Sequence, residues 1–88
     1  MDIVIYSKEN CSYCEKIKQV FKLKDFEFVE YVLDKDFTRN QFIKEFGEGS
    51  TFPRITIDGT LVGGCTDTIS YLKENNLLWI KLMNFVYL

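Results

Sequence analysis

Eighty-eight residues carrying 13 acidic and 11 basic side chains and no histidine have a net charge of -2, and so lack the basic face that nucleic acid demands. A chain of this length makes one domain that buries only a little over roughly 60% of its unfolded surface. Its 47% hydrophobic content, with eight Phe and five Tyr, suffices for an economical core, and three cysteines, an odd number, argue against a secreted disulfide framework.

Asp2 to Ser7 is a short β-branched run bounded by polar residues and reads as a buried strand. Its position leaves no room for a leader, so the expected setting is a reducing compartment, the cytoplasm, with no membrane partner. Tyr13, Cys14, Ile17, Val20 and Phe21 then recur at helical spacing, with Glu15, Lys16, Lys18, Gln19 and Lys22 on the other face. This first helix is expected to end near Lys24. Phe26 to Leu33 is aromatic and β-branched, which predicts a second strand, parallel to the first because a helix connects them. Thr38-Arg39-Asn40-Gln41 fits a capping box, Phe42, Ile43 and Phe46 supply an apolar stripe, and Gly47 stops the helix. After Pro53, the only proline, Ile55, Ile57, Leu61 and Val62 flank Asp58-Gly59, the signal for a tight antiparallel hairpin. Beyond Gly63-Gly64, Thr66 and Asp67 look like helix-opening residues, and Ile69, Tyr71 and Leu72 carry a third helix to about Asn75. Leu77 to Leu88 is strongly polar only at Lys81 and Asn84, is too short to span a bilayer, and is expected to pack as a helical extension rather than to bind a partner. The order β-α-β-α-β-β-α predicts a single α/β domain over 1–88 with a thioredoxin-like fold, a four-stranded mixed sheet flanked by helices.

Cys11-Ser12-Tyr13-Cys14 stands at the junction of the first strand and first helix. Cys11 falls at the N-cap, facing free backbone N–H groups and the positive end of the helix dipole, so its thiolate is favoured. Cys14 lies about one turn further in, on the same side and less exposed. A dithiol there is suited to redox exchange, with Cys11 as nucleophile and Cys14 as resolving thiol. A lowered thiol pKa gains thiolate but loses intrinsic nucleophilicity in nearly equal measure, so its benefit lies in Cys11 as leaving group. Tyr13 either fills a core position or packs beside the active sulfur. Cys65 either fills a small pocket or serves as an oxidation-sensitive third thiol. A structural zinc site would be one ligand short with three Cys and no His.

Lys8 before CSYC, then Thr51-Phe52-Pro53-Arg54, then Gly63-Gly64-Cys65-Thr66-Asp67 together resemble the glutaredoxin family over nearly the whole chain. The resemblance implies a cis peptide before Pro53 and glutathione-dependent reduction of protein disulfides and glutathione mixed disulfides, with ribonucleotide reductase among the suitable partners. It also implies a glutathione site. Lys8 would pair with the glycine carboxylate and Gln41 would hydrogen-bond near that end. The Phe52 backbone would meet the tripeptide beside Pro53, Gly64 would allow close approach, and Thr66 and Asp67 would hold the γ-glutamyl end, as helix N-termini hold anions. Taken singly, Lys8 is an ordinary surface charge, Gln41 a capping-box side chain, and Thr66 and Asp67 simple caps.

Ser12 replaces the proline of the family's commonest motif, CPYC. Family members with CSYC that resemble this chain through TFPRITIDGTLVGGCTDT are associated with a glutathione-ligated 2Fe-2S cluster bridging two protomers. The alternative function is therefore a cluster-binding dimer in which Cys11 ligates iron, against a monomeric reductase.

Overall fold

The computed structural model describes residues 1–77. Seven elements follow in the order β1 (Ile3–Ser7), α1 (Ser12–Leu23), β2 (Phe28–Val32), α2 (Arg39–Phe46), β3 (Arg54–Ile57), β4 (Thr60–Gly63) and α3 (Cys65–Glu74). They build one four-stranded mixed sheet in the order β2-β1-β3-β4. β1 pairs with β2 in parallel, Ile3 opposite Phe28 and Ser7 opposite Val32, as a strand-helix-strand crossover requires. It pairs with β3 in antiparallel, Ile3 opposite Ile57 and Tyr6 opposite Arg54. β3 turns into β4 through Asp58 and Gly59 at φ +51° and +82°. Two left-handed residues in succession are the geometry that Asp-Gly adopts readily and that matches the twist of a two-residue hairpin.

Strand alternation divides the apolar residues between two faces. Ile3, Ile5, Ile55 and Ile57 face Ile17 and Phe21 of α1 and Cys65 and Leu72 of α3, forming the buried core. Burying one such aliphatic or aromatic side chain stabilises by about 1.5–3 kcal/mol. Tyr6, out of phase with Ile5, points to the opposite face. There its ring lies 5.0 Å from Phe46 and 5.6 Å from both Tyr31 and Phe37, and Phe37 and Phe46 each meet Phe42 in turn. This second aromatic layer seats α2.

The helix ends follow their capping chemistry. Thr38 Oγ1 accepts from the Gln41 amide at 3.1 Å while Gln41 Oε1 accepts from the Thr38 amide at 2.8 Å, the reciprocal pair read from the sequence. Gly47 follows α2 at φ +96°. Several boundaries differ from expectation. Asp2 lies outside β1 because its amide donates to Asp58 Oδ1 at 2.7 Å. β2 is shorter at both ends, since the Phe26 amide closes the α1 turn onto the Phe21 carbonyl and Leu33 only bridges to Phe37. α3 opens at Cys65 after Gly64, so Thr66 and Asp67 are its second and third residues. Leu77 packs against the core. The expected helical extension otherwise lies outside the described residues. Among the described residues no helix is long and apolar enough to cross a membrane.

Candidate active site

Asn10, at φ +57°, turns the chain from β1 toward α1 and delivers Cys11 to the N-cap in an extended conformation, φ -116° and ψ +104°. Asn is among the few residues that tolerate the left-handed region. The Cys14 amide donates to Cys11 Sγ at 3.2 Å. The two cysteines are joined as a disulfide with Cα atoms 5.2 Å apart, within the usual range of roughly 4.4–6.8 Å. They are not equivalent. Cys11 retains 9% of its surface and Cys14 none, so an attacking partner meets Cys11. In the reduced pair, the same amide and the helix dipole favour a thiolate at Cys11. Ser12 is exposed, and Tyr13 is 59% exposed, which settles its alternatives against a core role.

Contacts link most of the other expected site residues into one row. Lys8, exposed at the end of β1, places its Nζ over the Phe52 ring, 5.7 Å from the centroid. Phe52 stacks on Phe42 at 4.2 Å, next to the exposed Gln41 on α2. The Phe52–Pro53 peptide is cis. Pro53 is buried, and its carbonyl lies 3.5 Å from where a Cβ on Gly64 would stand, so the approach to β3 and the start of α3 are adjacent. Asp67 Oδ2 then accepts from the Gly64 amide at 3.3 Å. Gly63 sits at φ +126°, where a Cβ would collide with the Asp67 carboxylate. Gln41 Oε1 accepts from the Thr38 amide in the capping box, and its side-chain N–H groups make no hydrogen bond among the described residues. Thr66 is exposed on the first turn of α3, outside this row of contacts.

A half-buried polar chain under α1 was not expected. Ser7 Oγ donates to Glu30 Oε2 at 2.6 Å, and Lys18 Nζ bridges Glu30 at 2.9 Å and Glu15 at 2.8 Å. Lys18, read from its spacing as part of the polar face, keeps only 14% of its side chain exposed because Glu30 points inward from β2 to meet it. Burial raises the Glu30 carboxyl, but the Ser7 hydroxyl and the Lys18 ammonium outweigh it and hold it below its ordinary value. Burial likewise lowers Lys18, and its hydrogen bonds to Glu15 and Glu30 reverse the sign. Cys65 is buried in the core, and burial pushes its thiol up against the weaker opposite pull of Lys16.

The family model named Glutaredoxin matches residues 3–62, from β1 into β4. The chain belongs to the glutaredoxin family. It is 41% identical over 80 residues to human mitochondrial glutaredoxin-2, covering 86% of this chain and 48% of that protein. It is 38% identical over 77 residues to glutaredoxin 1 of Rickettsia prowazekii, covering 85% of this chain and 81% of the relative. It thus spans about half the length of the mitochondrial relatives it matches. Its fold is shared with the crystal structure of a buckwheat glutaredoxin-glutathione complex, at a TM-score of 0.72 and 24% identity over 85% of this chain and 71% of that one.

Proposed function

We propose that this glutaredoxin is a glutathione-dependent thiol-disulfide oxidoreductase, acting on glutathionylated proteins and on protein disulfides. The observation that carries the reading is the asymmetry of the dithiol: Cys11 is capped by the Cys14 amide and retains 9% of its surface, whereas Cys14 is fully buried. On a glutathionylated protein, the Cys11 thiolate attacks the glutathione sulfur, forms a Cys11-glutathione disulfide and expels the protein thiolate, which takes a proton from solvent. A glutathione thiolate then attacks that disulfide on the glutathione side, releasing oxidised glutathione and restoring the Cys11 thiolate. The helix cap favours Cys11 as leaving group in this second step. On a protein disulfide, Cys11 forms the mixed disulfide and Cys14 displaces the substrate, which leaves as a dithiol. The product is the Cys11–Cys14 disulfide, the state seen here, and two glutathione molecules reduce it.

Glutathione recognition is assigned to Lys8, Tyr13, Gln41, Phe52, Pro53, Gly64, Thr66 and Asp67. Support comes from the row of contacts that joins most of them and from the complex formed by the buckwheat relative. The zwitterionic tripeptide needs a cation at one end and an anion-binding helix start with a carboxylate at the other. Lys8, and Thr66 with Asp67, have that chemistry. Ribonucleotide reductase is one disulfide substrate that suits such a site. A 2Fe-2S cluster needs four thiolates. Cys14 is fully buried and Cys11 retains 9% of its surface, so one protomer would offer Cys11 as its ligand. A cluster would thus take glutathione and a second protomer for its other ligands.

The test is a glutathione-coupled reductase assay on anaerobically purified protein, with visible absorption and native mass recorded on the same sample. The expected result is a colourless monomer whose turnover vanishes in Cys11→Ser, while Cys14→Ser keeps deglutathionylation and loses protein disulfide reduction. A brown dimer, inactive until bleached, would replace the reductase with the cluster carrier.

A further inference from the structure

The side chain of Phe52 has no part in the backbone pairing proposed above, yet it is held firmly. Its ring stacks on Phe42 with an interplanar angle of 16° and lies 6.2 Å from Phe37 at 23°, so α2 and the loop before it brace the ring. Lys8 Nζ stands 5.7 Å from its centroid, inside the roughly 6 Å reach of a cation-π contact. Lys8 forms no salt bridge among the described residues, although Glu9 and Asp34 line the same shallow depression. The difference matters chemically. A carboxylate partner would cancel the charge of Lys8, whereas a ring quadrupole attracts the ammonium and leaves its full charge available.

We propose that Phe52 is a positioning residue whose braced ring holds the Lys8 ammonium unpaired for the anionic end of glutathione. The inference rests on the reading of Lys8 as the glutathione carboxylate partner. Without the ring, Lys8 is released to Glu9, Asp34 or solvent, and the ligand must compete for it. An exposed cation-π contact is weak, so the expected loss is about two- to five-fold in KM for a glutathionylated peptide.

The experiment is a double-mutant cycle on the full chain with Phe52→Leu, Phe52→Tyr, Lys8→Gln and the Phe52→Leu/Lys8→Gln pair, together with proton NMR of the free wild-type protein. Phe52→Leu is expected to raise KM rather than lower kcat, Phe52→Tyr to restore it, and Phe52→Leu to add nothing once Lys8 is Gln. The Lys8 ε-methylene protons should be shifted upfield by the ring in the wild type. An unperturbed Lys8 resonance overturns the proposal even if Phe52→Leu does not fold. So does a Phe52→Leu effect that persists undiminished in the Lys8→Gln background, or a Phe52→Leu enzyme with wild-type KM. Loss of glutathione-dependent turnover in the wild type would instead sink the underlying reductase reading.

Discussion

Replacing Glu30 by Ala should destabilise this domain well beyond the usual effect of a surface substitution. Glu30 is the hub of the polar chain: it accepts from Ser7 Oγ at 2.6 Å and pairs with Lys18 Nζ at 2.9 Å. Lys18 and Glu30 keep 14% and 28% of their side chains exposed, so water replaces Glu30 poorly. Its loss leaves the buried Ser7 hydroxyl without an acceptor and Lys18 with Glu15 alone, whose side chain is 67% exposed. An exposed pair of that kind contributes about 0–1 kcal/mol. A hydrogen bond to a charged group contributes about 1.5–3 kcal/mol, and the stranded donor adds desolvation of similar size. Partial exposure reduces the sum to about 2–3 kcal/mol. Domain stability at roughly 0.05–0.15 kcal/mol per residue makes that a large share of the total, and the midpoint of thermal unfolding should fall by on the order of 10 °C. Urea unfolding at neutral pH measures the loss directly, with Glu30→Gln, which keeps the Ser7 bond, expected to lose less. The pH dependence has a definite sign. Glu30 is held below its ordinary 4.5 in the folded state, so its contribution is complete above that value and lost as pH falls through the folded value. Lys18 is held above its ordinary 10.5, so its contribution is complete below that value and lost as pH rises through the folded one. An Ala variant within about 0.5 kcal/mol of wild type, with an unchanged acid limb, would reduce the chain to surface decoration.

Gly63→Ala places a Cβ against Asp67 at a φ of +126°, and should cost more than about 1 kcal/mol in a urea titration; an unchanged midpoint would mean the start of α3 is soft. Asp67→Asn keeps an acceptor for the Gly64 amide but removes the charge offered to the γ-glutamyl ammonium. It should therefore leave the melting temperature near wild type while raising KM for glutathione, and equal losses in both would assign Asp67 to capping alone. Cys65 is buried with its thiol pushed up, so in reduced native protein at neutral pH an alkylating reagent should label Cys11 first and reach Cys65 only on unfolding. Mass spectrometry of the peptides decides it, and rapid native labelling of Cys65 would reopen the third-thiol reading.

What was legible in the sequence is what local chemistry dictates. The Thr38 to Gln41 capping box, the Asp58-Gly59 hairpin and the N-cap position of Cys11 each depend on residues within four positions of one another, and each appears as read. The side chains misjudged are those whose role is set by register between distant segments. Lys18 lies on a helix face that spacing alone calls polar, and only the pairing of β1 with β2, Ile5 opposite Glu30, brings a carboxylate beneath α1 to receive it. The resemblance implies a role for the Phe52 backbone alone, but the ring acquires its surroundings from Phe42 and Phe37, 10 and 15 positions earlier. One signal was nonetheless present. Glu30 stands between aromatic and β-branched neighbours on a strand otherwise suited to burial, and an inward charge on such a strand requires a partner of opposite sign. The cationic positions of α1 include one directly a helical turn beyond the buried Cys14, and that is Lys18. The same geometry ties stability to chemistry. Ser7 ends the strand that leads to the dithiol, Glu30 anchors the adjacent edge strand and Lys18 anchors the helix that Cys11 caps, so one carboxylate fastens all three elements whose junction sets the reactive sulfur.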